Sequence, residues 1–252
     1  MQIQQIRNAT LRITYSEKLF ITDPYLADKY TMPSYTGASP NPLVDLPCTP
    51  QDVIAGIEMA LISHVHSDHF DQTAQRLLPK DIPLFCQSGD ESMIEAKGFR
   101  NVIPVVDTLN WEGITIIRTP AQHGTGNVLN EMGNTSGFLL QSKNEPMVYW
   151  VGDSIWCNAV AAVIDKYQPD IIITHSCGAV WGGNVLIVMD AEQTVKLCQA
   201  APEAVIVATH MEALDHATVS RSDLRLLAET EGIGAHQLLI PGDGEILDFY
   251  VK

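Results

Sequence analysis

The sequence predicts a single α/β domain in which sheets and helices are layered, and three observations predict it. The chain has 252 residues of which 46% are hydrophobic, enough for one large core without help from disulfides. Short apolar runs bounded by Gly, Pro, Asn or Asp recur along it, and several are followed by segments that open on a helix cap. Strands followed by strand-helix units occur in both halves, as suits a pseudo-duplicated sandwich. One domain over residues 1–252 is expected, because no linker, charge run or low-complexity tract divides the chain.

In order, Leu11, Ile13 and Tyr15 alternate with polar neighbours before Leu19-Phe20-Ile21, which predicts two or three short strands over 3–22, ended by Asp23-Pro24. Residues 25–49 are broken by Pro33, Pro40, Pro42 and Pro47 and have no periodicity, so a long ordered loop or flap is expected. Thr49 before Pro50 reads as a helix cap followed by the first helical residue, and 58–62 as a buried strand. Asp71 caps a helix through Leu78, 82–86 is a strand, and Ser88 opens a helix that Gly98 closes. Strands are expected at 102–106, 114–119, 137–141 and 147–151, then a helix at 159–167 and a strand at 171–174. Asp190 caps a helix through Ala200, 204–208 is a strand, and Ser220 to Asp223 has capping-box spacing with Leu224, Leu227 and Ala228 on one face behind it. The runs 238–240 and 246–251 are expected to close the chain as a hairpin around Pro241-Gly242-Asp243-Gly244.

Composition narrows the partners. With 15 basic against 30 acidic residues the net charge is −15, which repels phosphate backbones and anionic membrane surfaces, so a small-molecule substrate is expected and neither nucleic acid nor membrane. The five cysteines, at 48, 86, 157, 177 and 198, form no CxxC pair and read as small buried hydrophobes of a reducing compartment. No apolar run approaches the ~20 residues of a spanning helix and the N-terminus has no signal-like core, so a cytoplasmic location is expected. Oligomeric state leaves no trace in the sequence.

The chemistry centres on His64-Val65-His66-Ser67-Asp68-His69, where three imidazoles and a carboxylate follow directly on the 58–62 strand. Such groups repel or are costly to desolvate unless something positive sits among them, and they suit zinc and its first-row neighbours. His123, Asp153, His175 and His210 each stand just after a predicted strand, and strand ends converging on one edge can gather side chains distant in sequence.

The block resembles the His-x-His-x-Asp-His signature of the metallo-β-lactamase-fold hydrolases, and His123, Asp153 and His210 follow in the order of that family's remaining ligands. Asp23-Pro24-Tyr25, Asn41-Pro42-Leu43-Val44-Asp45-Leu46-Pro47, Pro120-Ala121-Gln122-His123-Gly124 and His210-Met211-Glu212 are similar to the lactonase-like branch that includes ascorbate-6-phosphate lactonases. The resemblance covers nearly the whole chain and implies a four-layer αββα sandwich. It implies two divalent metal ions, zinc foremost with manganese or iron also served by these ligands. One would be held by His64, His66 and His123, the other by Asp68, His69 and His210, with Asp153 bridging. Together they would activate a water to cleave a small ester, lactone, amide or phosphoester, with Asp68 and His216 as the proton-handling catalytic residues.

Other readings stay open at this level. His216 lies six residues past His210, so either could be the last ligand. His175 reads as a pocket or supporting group rather than as partner of Cys177 in a nucleophilic pair, Asp23 as an acceptor that fixes a ligand imidazole, and His236 as plain surface. Trp156, Trp181 and Tyr35 line a pocket or belong to the core. A metal-binding protein without turnover and a di-iron redox enzyme are the competing functions, and the bridging Asp153 favours hydrolysis because a structural zinc has a closed four-ligand shell.

Overall fold

Over the described residues, 1–250, the computed structural model begins with β1 (Gln2–Arg7), β2 (Thr10–Tyr15), β3 (Lys18–Thr22), α1 (Pro50–Ile54), β4 (Met59–Ile62), α2 (Gln72–Leu77), β5 (Leu84–Gln87), α3 (Glu91–Glu95) and β6 (Val102–Val105). It continues through β7 (Thr108–Trp111), β8 (Ile114–Pro120), α4 (Val128–Met132), β9 (Ser136–Gln141), β10 (Val148–Trp150), α5 (Asn158–Tyr167) and β11 (Ile171–His175). The remainder is β12 (Val180–Trp181), β13 (Val185–Leu186), α6 (Ala191–Ala200), β14 (Val205–Thr209), α7 (Arg221–Thr230), β15 (Leu238–Leu239) and β16 (Ile246–Asp248). The caps read from the sequence are formed: Thr49 accepts from the Asp52 amide, Asp71 from Thr73 and Ala74, Asp190 from Gln193, and Ser220 and Asp223 make a reciprocal capping box. Each is worth ~1 kcal/mol to its helix.

Two seven-stranded sheets face each other, ordered β16-β1-β2-β3-β4-β5-β6 and β15-β14-β11-β10-β9-β8-β7. Each is an antiparallel meander that turns parallel partway across, at β3–β4 in the first and β10–β11 in the second. Period-2 alternation then sorts the side chains. Leu61, Phe85, Trp150, Ile171 and Ile173 meet between the sheets. Ala60, Ile62 and Leu84 face the opposite way, onto α1, α2 and α3 through Val53, Ala74 and Ile94. Ile172, Ile206 and Ala208 pack on α5, α6 and α7 through Val160, Val195 and Leu224. The result is the expected αββα sandwich, and it explains why the β4 and β11 runs are apolar without a break: parallel strands covered on both faces have no solvent side.

Some expectations need correction. The closing hairpin does not form. β15 lies parallel to β14 in the second sheet, while β16 pairs antiparallel with β1 in the first, so the Pro-Gly-Asp-Gly turn carries the chain across from one sheet to the other. Val251, the expected end of that hairpin, lies outside the described residues. α3 starts at Glu91, with Asp90 rather than Ser88 at its cap position. β7 was not anticipated because its residues alternate between exposed and half-buried on a sheet edge and carry little apolar signal.

Glycine is required where β10 runs into the candidate site. Gly152 has φ +70, and a Cβ there would sit 2.6 Å from the Ser136 carbonyl oxygen, so no other residue can make the bend that delivers Asp153. No helix among the described residues is long and apolar enough to cross a membrane.

Candidate metal centre

The ends of β4, β8, β10, β11 and β14 meet at one edge of the sandwich, and there the sequence-distant donors come together. His64, His66 and His123 form one group and His69, Asp153, His175 and His210 another, the ligand-type atoms within each lying no more than 4.8 Å apart. All but His66 are buried.

Which nitrogen each imidazole offers is settled by what its other nitrogen touches. Asp23, fully buried, accepts from the Ser63 amide at 2.7 Å, from Ser63 Oγ at 2.5 Å and from His69 Nδ1 at 2.7 Å. Since Ser63 gives its only proton to Asp23, its oxygen accepts from His64 Nδ1 at 2.9 Å. His123 Nδ1 donates to the Ile187 carbonyl at 2.9 Å, and His210 Nδ1 lies 3.3 Å from Cys177 Sγ. The Nε2 atoms of His64, His69, His123 and His210 are thereby turned inward.

They converge on carboxylates and on each other. His69 Nε2 is 3.2 Å from Asp153 Oδ2, 3.3 Å from Asp68 Oδ2 and 3.2 Å from His210 Nε2. Asp153 Oδ2 also stands 3.4 Å from His123 Nε2 and 3.9 Å from His64 Nε2, so one oxygen faces both groups of donors. His64 Nε2 is buried with no hydrogen-bond partner among the described residues. A buried cluster of lone pairs with one orphaned nitrogen is costly unless a cation fills it, and the donor set, imidazole with carboxylate, is that of a divalent transition metal.

The electrostatics agree. Burial pulls His123 down to about 4 and His64 well below the ordinary histidine value, so both are neutral at pH 7, as ligands must be. Burial pushes Asp68 and Asp153 upward, yet the surrounding imidazoles, His69 first, hold both carboxyls well below their usual range. For His69 burial again opposes charge but is overcome by Asp153, Asp68 and Asp23, which push it well above its ordinary value. The spot therefore demands positive charge, which protons or a metal can supply.

His175 stands in the second group without a free nitrogen. Its Nε2 accepts from Trp150 Nε1 at 3.1 Å, so its Nδ1 carries the proton and donates to Asp153 Oδ1 at 2.5 Å. It orients Asp153, and the Cys177 thiol lies instead beside His210. His210, not His216, stands with the other donors. It is held at φ +64, a left-handed conformation rare outside glycine, by a hydrogen bond from its backbone N–H to the Asn8 carbonyl at 2.9 Å, while Asn8 Nδ2 donates to the Asp68 carbonyl at 3.0 Å. Asn8, Trp150 and Cys177 carry no local signal that marks them in the sequence.

A cavity of about 250 Å³ opens on the cluster, with Asp68, His123 and Asp153 at its floor and Tyr35, Trp181, Met132, Ile187 and His216 on its walls. His216 Nδ1 is buried without a partner. Glu131 closes one side, receiving Trp181 Nε1 at 2.9 Å, and among the described residues no lysine or arginine lines the cavity. Trp156 packs in the core beside α5 instead, and His236 is exposed.

Residues 20–211 match the family model of the beta-lactamase superfamily domain. The UPF0173 protein YddR of Bacillus subtilis (strain 168) is 35% identical over 260 aligned residues, 99% of this chain and 100% of that protein. Among solved structures, an isothiocyanate hydrolase from Delia radicum gut bacteria superposes with a TM-score of 0.92 at 32% identity, with 100% of both chains covered. A possible metal-dependent hydrolase from Veillonella parvula DSM 2008 does so at 0.93 and 33% identity over 98% of each chain.

Proposed function

The chain belongs to the beta-lactamase superfamily and is a metal-dependent hydrolase, and we propose that it uses two divalent cations, zinc foremost, to hydrolyse a small neutral electrophile of the isothiocyanate type. His64, His66 and His123 would hold one ion, Asp68, His69 and His210 the other, with Asp153 shared. The observation that carries this reading is the position of Asp153 Oδ2, 3.2 Å from His69 Nε2 and 3.4 Å from His123 Nε2, between two groups of inward-facing nitrogens. Cations held there by these residues would supply Lewis-acid chemistry, lowering the pKa of a water towards neutrality and polarising the bond to be cleaved.

The protein's own residues do the rest. Asp68 takes the proton released as water attacks the substrate carbon, and His216, on the cavity wall, returns one to the leaving atom. For an isothiocyanate, the water oxygen bonds to the central carbon, the carbon–nitrogen bond breaks, and nitrogen leaves as an amine with two protons, one from His216 and one from the remaining O–H of the attacking water, the rest departing as carbonyl sulfide. Asp68 gives its proton to solvent and His216 takes one back, which restores both residues. The walls favour such a substrate: Trp181, Met132 and Ile187 suit an apolar or aromatic substituent, whereas Glu131 and the lack of a lysine or arginine among the described lining residues disfavour phosphoesters and carboxylates. The relative of similar sequence and superposable fold that is an isothiocyanate hydrolase supports the same class.

The test is metal content per chain on protein purified without chelator, followed by turnover of benzyl isothiocyanate, a γ-lactone, p-nitrophenyl acetate and a phosphodiester. Two equivalents with isothiocyanate turnover well above that of the phosphodiester is the expected result. A single tightly held ion with no turnover would overturn it.

A paired substitution checks the ligand assignment. His66→Ala should reduce both metal content and rate, since the His66 ring packs 4.3 Å from His64 and 5.4 Å from His123. His236→Ala, on the exposed surface, should leave both unchanged. Equal behaviour of the two variants would remove the basis for the assignment.

A further inference from the structure

The segment between β3 and α1 is tied down over the cavity by two charges, the buried Arg7 and the half-buried Asp215. Arg7, at the end of β1, donates from Nη2 to the carbonyls of Tyr25 and Ala27, each at 2.8 Å, and from Nη1 to that of Val44 at 3.1 Å. The middle of the segment is held by one carboxylate on another loop. Asp215 accepts from the Tyr35 amide at 3.0 Å and Asn41 Nδ2 at 2.9 Å through Oδ1, and from the Thr36 amide at 3.1 Å, Thr36 Oγ1 at 2.7 Å and Ser34 Oγ through Oδ2. Its own amide donates to Asn41 Oδ1 at 2.9 Å. Hydrogen bonds to a carboxylate are stronger than neutral ones, and so many on a single group indicate a dedicated clasp.

What the clasp places is Tyr35. Its ring stands edge-on to His216 at 4.7 Å and to Trp181 at 6.3 Å, and its phenol oxygen lies 2.8 Å from Ser67 Oγ and 3.4 Å from Asp68 Oδ1. The other oxygen of Asp68 faces His69 and His210 at 3.3 and 3.4 Å, so the phenol stands where the donor cluster gives way to the apolar wall. Ser67 can donate to the phenol oxygen, and the phenol donates to Asp68 Oδ1 only over a long 3.4 Å contact, so its proton can transfer that weak bond to a substrate atom that comes closer. A reaction that builds negative charge on a substrate heteroatom needs a fixed donor aimed at that atom, and among the described residues no lysine or arginine lines this cavity to serve.

We propose that Tyr35 is a catalytic residue whose O–H donates a hydrogen bond to the substrate heteroatom on which negative charge develops, and that Asp215 is the positioning residue that aims it. The proposal rests on the hydrolase reading above. No bond to Tyr35 forms or breaks; the phenol keeps its proton and acts as a neutral donor. Asp215 acts by holding Ser34 to Asn41 in place and touches no substrate.

The experiment uses full-length, metal-loaded protein and the variants Tyr35→Phe, Asp215→Asn and the two combined. Three readouts are taken: turnover of benzyl isothiocyanate, binding of the unreactive neutral N-benzylthiourea by calorimetry, and amide hydrogen exchange over residues 33–41. Tyr35→Phe should keep its metal and its exchange pattern, lose roughly 10²-fold in kcat with KM little changed, and bind N-benzylthiourea roughly tenfold more weakly. Asp215→Asn should exchange faster over 33–41 and show the same loss of kcat. The double variant should be no slower than the slower single one, because both changes remove the same donor. Tyr35→Phe with parental kcat and thiourea affinity overturns the proposal, and multiplied losses in the double variant overturn the role of Asp215. If the parent does not turn over benzyl isothiocyanate, the substrate reading fails and thiourea binding decides alone: weakened by Tyr35→Phe it upholds the donor, whereas equal binding or none in the parent overturns it.

Discussion

Asp153→Asn should cost turnover by ~10³-fold or more, above the ~10–100-fold that loss of a partner outside the ligand set produces. The argument follows from hydrogen-bond polarity. His175 Nδ1 carries a proton because Trp150 Nε1 occupies its other nitrogen, so the atom at the Asp153 Oδ1 position must accept. An asparagine would keep its carbonyl there and turn its NH2 group toward His69 and His123, whose nitrogens lie 3.2 and 3.4 Å from Oδ2. That amide satisfies the lone pairs a cation would otherwise need to satisfy. On the proposed two-ion reading, metal per chain should fall from two to one or fewer, the fold should persist, and a chelator that lowers the melting temperature of the parent should no longer affect the variant. A variant that keeps two equivalents and turns over within about tenfold of the parent would show that Asp153 is not shared between the ions.

Asp23→Asn should weaken metal binding by ~10–100-fold without touching any ligand. The buried carboxylate accepts from Ser63 and His69 at once. An amide supplies one acceptor and two donors, so one side of the site must reverse. If the NH2 group faces His69, the ring has to present a lone pair at Nδ1 and carry its proton on Nε2, the nitrogen that points at Asp153 and Asp68. If it faces Ser63, a buried donor is left unmatched at a cost of about 1–3 kcal/mol. Competition titration with a chromogenic chelator measures the first effect, and nitrogen NMR of the histidine rings reports the tautomer. Unchanged affinity together with an unchanged His69 tautomer would rule out the role assigned to Asp23.

Most of the architecture was legible because its signals are local. The caps at Thr49, Asp71, Asp190 and Ser220 lie within three residues of the amides they bond, and the unbroken apolar runs of β4 and β11 announce strands covered on both faces. The C-terminal end misled for the same reason. Two apolar runs around Pro-Gly-Asp-Gly are a hairpin by every local rule, but β14 and β1 each had a free edge, and pairing with an existing sheet buries more backbone than pairing within an isolated two-stranded hairpin. β7, half exposed on an edge, has too little apolar contrast to be seen.

By itself the sequence determined which donor types serve the centre and in what order: four of them lie in one six-residue block, and His123, Asp153 and His210 each follow a recognisable strand. Only the tertiary structure decided the rest. It set which nitrogen of each ring faces inward, placed His210 rather than His216 among the other donors, hydrogen-bonded His175 to Asp153, and brought Asp215 to Tyr35. Each of these depends on a partner tens of residues away, as with Ile187 for His123 or Trp150 for His175. A single hydrogen bond across such a distance imposes no periodicity on the chain between, so nothing in the local sequence records it.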